Sequence, residues 1–174
     1  MNPTALTAAA TTTTTATGAP LRRLAVAIAL AVVATLLYVV PFADPAAATT
    51  VEPASRSEIV EGYRLLNVYR ARHGVPAIRY SGSLSAKAQE WATYMARTGR
   101  FHHSELADGV PAGWRGLGEN IAYNSTVRGA LNAWAHSPGH RANMLNPRFD
   151  NVGIGFARVD GRLYAVQFFG DYLP

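Results

Sequence analysis

The end of the chain carries the pattern that most restricts its fold. After Pro147, apolar residues alternate with a period of two in the runs NVGIGFARV (151–159) and RLYAVQFFG (162–170), which flank Asp160-Gly161. An Asp-Gly pair between two alternating apolar runs predicts a β-hairpin. Most of the region from 55 to 147 shows helical spacing instead. The sequence therefore predicts an α+β domain in which helices pack over a sheet.

A first helix is predicted to begin behind Ser55. Ser55 and Glu58 have the spacing of a capping box. Apolar residues then recur at helical intervals, at Ile59, Tyr63, Leu66 and Tyr69. Gly74 ends this helix and Pro76 prevents its return. The next residues, AIRY (77–80), are predicted as a short strand.

Two more amphipathic helices are predicted in the middle of the chain. The second helix starts in SGSLS (81–85), closes at Gly99, and has an apolar face formed by Leu84, Ala88, Trp91, Ala92 and Met95. The third helix (126–135) has an inward face formed by Val127, Ala130, Leu131 and Trp134. Because such stripes are typical of a core-facing surface, both tryptophans are assigned to packing.

The segment between these two helices is rich in glycine. Residues 101–120 read FHHSELADGVPAGWRGLGEN, with two adjacent histidines and two glutamates. This composition predicts a loop with a short element in it. Loops on a rigid frame commonly carry functional side chains.

A fourth, short helix is predicted in SPGHRANMLNP (137–147). Ser137 is suited to the N-cap and Pro138 to the first helical position, where a missing N–H costs nothing. His140 then lies in the first turn, where the helix dipole disfavours a protonated ring. A neutral imidazole is the form that binds a metal or acts as a base. The alternative is that His140 only caps the helix or satisfies a polar group in the core.

The N-terminal part is predicted to lie outside the folded domain. Residues 1–20 are low in complexity, with five threonines in a row, and predict a disordered segment. Residues 21–48 have the form of a signal peptide or a membrane anchor, because Arg22 and Arg23 precede an uncharged run over 24–40. Ala46-Ala47-Ala48 offers a cleavage site, whereas the run is long enough to span a bilayer if it stays uncleaved.

Both versions of the leader predict that the chain is exported, as a secreted or a surface-anchored protein. Residues 49–55 are then a linker, and 56–174 form the folded domain. Cysteine is absent, so the domain is held by its core alone, without the disulfides that an exported chain is able to use.

Charge excludes one class of partner. Residues 49–174 carry 14 basic residues, 13 of them arginine, and 10 acidic residues, for a net charge of +4. The sequence has no basic run with interleaved aromatic residues, which is the pattern that indicates nucleic-acid binding. The positive charge is compatible with an anionic surface, or with solubility alone.

No local motif identifies a catalytic site, and the residues that could act as ligands, acids or bases are dispersed along the chain. The chain has no HExxH motif, no GxSxG motif and no thiol. The remaining candidates are His102, His103, Glu105, Glu119, His136 and His140. A histidine of the 102–103 pair, Glu119 and His140 would suit a zinc site with an open position for water, although their spacing is not diagnostic.

Five segments over about residues 57–171 carry a family resemblance: LLNVYRARHGVPAIRY, LSAKAQEWATYMARTGRFHHS, GENIAYN, AWAHSPGHRANMLNPRFDNVGIGFA and YAVQFFG. Taken together and in this order, they resemble the CAP superfamily of cysteine-rich secretory proteins, antigen 5 and pathogenesis-related proteins, and above all its bacterial SCP-like extracellular domains. The resemblance implies an α-β-α sandwich with a central cleft.

In many family members two histidines and two glutamates line that cleft. The resemblance assigns the first histidine to His103, the first glutamate to Glu119 and the second histidine to His140. Ser137 stands where the second glutamate is usual, so the fourth position of the set is not acidic. The resemblance implies a weak, exchangeable zinc or other divalent ion on His103 and His140, if any metal binds.

Three functions stay open at this stage. The first is an exported binding module, monomeric, for a small ligand, a lipid or a cell-wall component. The second is a metal-assisted hydrolase in which Glu119 acts on a metal-bound water as the catalytic base. The third is a structural surface protein with an inactive cleft. Five further polar residues of the matching motifs are expected to form a buried hydrogen-bond framework, namely Asn67, Arg70, Asn120, Asn143 and Gln167.

Overall fold

The structure is a computed structural model that describes residues 50–172. The segments 1–20 and 21–48, with their predicted disorder and their predicted signal or anchor, lie outside the described residues. Among residues 50–172, no helix combines the length and apolarity needed to cross a membrane. The described elements are β1 (Glu52–Pro53), α1 (Arg56–Arg72), β2 (Arg79–Tyr80), α2 (Gly82–Thr98), β3 (Gly116–Asn124), α3 (Val127–His136), α4 (Pro138–Leu145), β4 (Asn151–Val159) and β5 (Arg162–Asp171).

The predicted C-terminal hairpin forms the centre of the sheet. Strands β4 and β5 pair antiparallel, and β3 pairs antiparallel with the other side of β5. Asp160 and Gly161 connect the hairpin with φ angles of 50° and 72°, the two positive values that a tight type I′ turn requires. On its outer side, β4 pairs with β1 antiparallel and with β2 in parallel, so β3 lies at one edge of the sheet.

Helices cover both faces of this sheet, which gives an α-β-α sandwich. Alternate residues of a strand point to opposite faces. In β4, Val152 and Ile154 belong to the core cluster shared with α1, α3 and α4, while Ala157 and Val159 belong to the cluster shared with α2. The domain is therefore α+β, as the sequence predicts.

Helix α2 lies against the sheet at two glycines of β4. A Cβ added to Gly153 would overlap the backbone of Leu84, and one added to Gly155 would overlap the backbone of Ala88. The same helix hydrogen-bonds to the outer edge of β4: the hydroxyl of Ser85 accepts from the amide of Ile154 at 3.0 Å. The small residues of β4 thus allow a backbone-to-backbone approach that also covers a free strand edge.

A buried arginine fixes the end of α4. Arg70, in α1, is 1% exposed. Its guanidinium donates to the carbonyl oxygens of Pro76, Met144, Asn146 and Phe149, at 2.8, 2.9, 3.1 and 3.3 Å. Its buried N–H groups are thereby satisfied by backbone acceptors. This contact confirms one part of the predicted polar framework.

The segment predicted as a linker is partly built into the sheet. Glu52 and Pro53 form β1, whose partners on β4 are Arg158 and Ala157. The capping box that begins α1 is present, since Ser55 and Glu58 bond each other's backbone amides. The folded domain therefore begins before residue 56, because the strand gains a partner that lies about a hundred residues away in the chain.

The glycine-rich segment 101–120 is only partly a loop. Its last five residues open β3, a nine-residue strand that the glycine content concealed. Gly118 is needed at that position because a Cβ there would lie 2.9 Å from the ring of Phe149. Glycine in this strand marks a close approach of a neighbouring side chain.

The contact between α2 and β4 gives a direct test of the packing. We expect Gly153→Ala to lower the free energy of unfolding by about 3 kcal/mol, because the added methyl overlaps backbone atoms that cannot rotate away. Gly82→Ala is the matched control, since nothing lies within 4 Å of its Cβ position, and its effect should stay within about 1 kcal/mol. Denaturant unfolding of both variants measures the difference, and equal stabilities would contradict this packing.

Candidate functional site

The site is organised by a buried carboxylate on the edge strand β3. The side chain of Glu119 is 1% exposed. Its Oε1 accepts from Nδ1 of His103 at 2.7 Å and from the amide of Ser104 at 2.9 Å, and its Oε2 accepts from the hydroxyl of Ser104 at 2.7 Å. Both carboxylate oxygens are thus engaged, and residues 103–104 are held against the sheet edge.

The contact with Glu119 also determines which ring nitrogen of His103 carries the proton. A carboxylate only accepts hydrogen bonds, so Nδ1 of His103 is the donor in the pair with Glu119. In the neutral ring, Nε2 then carries the free lone pair. The side chain of His103 is 56% exposed, which leaves Nε2 available to a ligand.

Asn120, the next residue of β3, holds the backbone of the second histidine, His140. Asn120 is fully buried, and its Nδ2 donates to the carbonyl of His140 at 3.0 Å and to Oε1 of Gln167 at 3.3 Å. Nδ2 of Asn143 donates to Oδ1 of Asn120 at 3.0 Å and to the carbonyl of Glu119 at 3.3 Å. The first turn of α4 is therefore tied to β3 by a satisfied network of amides, as the sequence predicts for these residues.

The two imidazole rings come together across the edge of β3. The ring centroids of His103 and His140 are 6.4 Å apart. His140 is half-buried and its ring makes no hydrogen bond to any residue between 50 and 172. Burial lowers the pKa of His140, and the positive charge that His103 is able to carry lowers it further. The neutral ring expected from the helix dipole is thus also favoured by burial and by the neighbouring imidazole.

Ser137 lies in the sharp corner between α3 and α4 but does not cap α4. It occupies the N-cap position before Pro138, yet its side chain makes no capping hydrogen bond, so the predicted hydroxyl cap is wrong. The corner is joined by backbone groups instead: the amide of Ser137 donates to the carbonyl of Trp134, and its carbonyl accepts from the amide of Arg141. No interaction between Ser137 and either imidazole is present within residues 50–172.

The remaining candidates do not join this site. His102 directs its ring toward Trp91, with centroids 5.0 Å apart, and Nδ1 of His136 donates to the carbonyl of Asn132. Glu105 lies on the exposed loop beyond Ser104. In the described part of the chain, no group of three or more histidine or carboxylate side chains has the arrangement of a metal site.

The fit of the two histidines to a divalent ion is partial. A buried carboxylate that orients the ring of a metal-binding histidine is a common arrangement, and Glu119 has that relation to His103. Two imidazoles on one tetrahedral zinc ion have centroids about 5 Å apart, given a bond length of about 2.1 Å. The observed 6.4 Å requires a closing movement of the rings, and the described residues supply no third ligand.

One residue of the site was not predicted. Ser104 appears in the sequence only as the residue after His103, but it supplies two of the three hydrogen bonds to Glu119. A serine directly after the histidine is the signal that sequence reasoning had available. Its partner lies on a strand fifteen residues later, so the pairing became visible only in three dimensions.

The chain matches one protein-family model and two curated relatives. The model of the cysteine-rich secretory protein family, CAP, matches residues 63–172. The uncharacterized protein YkwD of Bacillus subtilis is 31% identical over 135 residues, and the uncharacterized membrane protein YlbC of the same organism is 30% identical over 128 residues. These matches cover 70% and 68% of this chain but only 51% and 35% of the relatives, so the chain spans about half or less of their length.

Solved structures share the fold. An extracellular SCP-domain protein from Bacillus anthracis superposes with a TM-score of 0.58 at 28% identity, over 66% of this chain and 40% of that one. An outer surface protein from Borrelia burgdorferi superposes with a TM-score of 0.63 at 17% identity, over 71% of this chain and all of the other. The second match supports the fold alone.

The ring of His103 is expected to influence the pKa of His140. His103→Gln should raise the pKa of His140, because a nearby positive charge is removed, but only part of the way, because burial remains. The unfolded chain binds this proton at higher pH than the folded chain, so His140 lowers the free energy of unfolding as the pH falls through the usual histidine range.

Histidine ring signals followed by NMR against pH measure this shift. His136→Gln is the control, because its ring lies on the exposed end of α3 and bonds only its own helix. An unchanged titration of His140 in His103→Gln would show that the rings do not interact.

Proposed function

Given that this chain belongs to the cysteine-rich secretory protein (CAP) family, we propose that it is an exported binding module whose cleft contacts a small ligand through His103 and His140. Export is supported by the signal or anchor pattern of residues 21–48. The Bacillus anthracis protein at 28% identity is described as extracellular, which agrees with export. The two rings lie beside the edge strand β3, with His103 on the segment that follows Phe101 and His140 in the first turn of α4.

One observation carries the preference for binding over catalysis. The carboxylate of Glu119 is buried and accepts three hydrogen bonds from His103 and Ser104. A general base must reach the proton that it removes, and this carboxylate is occupied by the residues that it positions. Glu119 therefore acts as a positioning residue that presents Nε2 of His103 to a ligand.

The hydrolase alternative receives less support from the same geometry. A catalytic zinc ion usually has three protein ligands and an open position. His103 and His140 are the two ligands that the site offers. If a divalent ion binds there, these two rings would hold it and Glu119 would orient His103, and the ion would supply a positive charge for an anionic group of the ligand.

A purely structural role does not explain the environment of the His140 ring. The ring of His140 is half-buried next to a second imidazole, with no hydrogen-bond partner between residues 50 and 172. Its ring nitrogens remain accessible to solvent, because no unpaired side-chain nitrogen is buried among the described residues. A ligand is therefore able to reach them and to complete their hydrogen bonding.

Zinc is a suitable probe of the two rings. In a calorimetric titration of the full chain with zinc alone, we expect weak binding that falls at least about 10-fold in His103→Ala and in His140→Ala. His136→Ala is the matched control and should bind as the unchanged chain does. Zinc binding that is insensitive to both cleft substitutions would show that the two rings do not form a common site.

Hydrolysis separates the two functions. Glu119→Gln keeps the shape of the side chain, and the hydroxyl of Ser104 is free to turn so that it accepts from the new amide. We expect no peptide or ester hydrolysis by the unchanged chain in the presence of zinc. Hydrolysis that disappears in Glu119→Gln, with folding retained by circular dichroism, would instead support the metal-assisted hydrolase.

A further inference from the structure

A cavity lies beside Ser104 and Glu105, the two residues that follow His103. It has a volume of about 410 Å³ and is bounded by the exposed face of α2 and by the loop that follows Ser104. The side chains that determine its chemistry are Lys87, Glu90, Trp91, Ser104, Glu105 and Asp108. Neither His103 nor His140 lines it, so it is separate from the cleft.

Unpaired carboxylates are concentrated at this cavity. Ten acidic residues lie between 50 and 172, and five of them form ion pairs: Glu58, Glu61, Glu119, Asp150 and Asp171. Three of the other five, Glu90, Glu105 and Asp108, line this cavity. Their carboxylates make no hydrogen bond or ion pair within the described residues, although the whole chain carries a net charge of +5. The cavity is a local acidic region on a basic protein.

An aromatic wall adjoins these carboxylates. Tyr94 stacks on one face of Trp91, with centroids 4.8 Å apart and an interplanar angle of 15°. The indole N–H donates to the carbonyl of His102 at 2.9 Å. The ring is thereby held in one orientation, with the ring of His102 also packed against it, and Trp91 lines the cavity with part of its surface. An electron-rich indole beside carboxylates is a favourable environment for a cation with an apolar or ring-shaped body.

The only lysine of the chain holds the cavity in shape. The ammonium of Lys87 donates to the carbonyl of Glu105 at 2.7 Å and to the carbonyl of Asp108. It also lies 5.2 Å from the centroid of Phe168. These contacts tie the loop to α2 and leave the carboxylates of Glu105 and Asp108 free. Lys87 therefore holds the loop against α2 through backbone carbonyls. Because it pairs with none of the three carboxylates, the lining of the cavity keeps an excess of negative charge.

We propose that this cavity is a second binding site, for a compact organic cation that carries a protonated amine. The ammonium group of the ligand would lie among Glu90, Glu105 and Asp108, and its body would lie against Trp91. An amino sugar and an aliphatic amine share this chemistry. The site is independent of the two histidines and of any metal that they bind.

Two amines and one neutral analogue test the proposal on the full chain. We expect D-glucosamine or cadaverine to bind in calorimetric titrations at low salt and to shift the indole N–H signal of Trp91 in NMR spectra. N-acetylglucosamine keeps the sugar ring but lacks the charge, so it should bind at least about 10-fold more weakly. Binding by glucosamine alone or by cadaverine alone identifies which body the cavity accepts.

Charge-removing variants locate the binding. Glu90→Gln combined with Asp108→Asn should weaken binding about 10-fold, since both substitutions keep the size of the side chain and remove its charge. Glu52→Gln is the control, because Glu52 is equally unpaired but does not line the cavity. The proposal is overturned if neither amine binds, if N-acetylglucosamine binds as well as glucosamine, or if the double variant binds as the control does.

Discussion

The approach of the two imidazole rings depends on two consecutive residues of an edge strand that point to opposite faces of the sheet. Glu119 holds the loop histidine from one face, through His103 and Ser104. Asn120 holds the helix histidine from the other face, through the carbonyl of His140. Because neighbouring strand residues alternate in direction by necessity, one dipeptide positions two rings that are far apart in the chain.

The rest of the fold keeps that dipeptide in place. Strand β3 has a single partner strand, β5, which lies at the centre of the sheet. Helix α2 packs directly on Gly153 and Gly155 of β4, the strand next to β5. Arg70 donates hydrogen bonds to the carbonyl groups at the end of α4. Close packing and satisfied buried polar groups thus restrict movement on both sides of the cleft. The same carboxylate that orients His103 also anchors Ser104, which lines the acidic cavity.

Local patterns in the sequence predicted the features that local interactions create. The four helices, the Asp160-Gly161 turn and the capping box at Ser55 follow from residues near each other in the chain. Strand β3 and the short strand β1 were not predicted, because each depends on a partner that is distant in sequence. The role of Ser104 was missed for the same reason. The capping role of Ser137 was wrong, because its side chain makes no capping hydrogen bond although its backbone has the extended conformation of an N-cap residue. The resemblance to the CAP superfamily supplied the choice of His103, Glu119 and His140, which spacing alone left open.

The proposed binding site depends most on Glu119, which fixes the ring of His103 with Nε2 free. Ring nitrogen signals of His103 in ¹⁵N NMR spectra, recorded at a pH above the titration of the histidines, measure this property directly. The contact with Glu119 predicts that the proton resides on Nδ1 and that Nε2 is bare. A ring that carries its proton on Nε2, or that exchanges freely between the two forms, would contradict the role assigned to Glu119 and with it the proposed cleft.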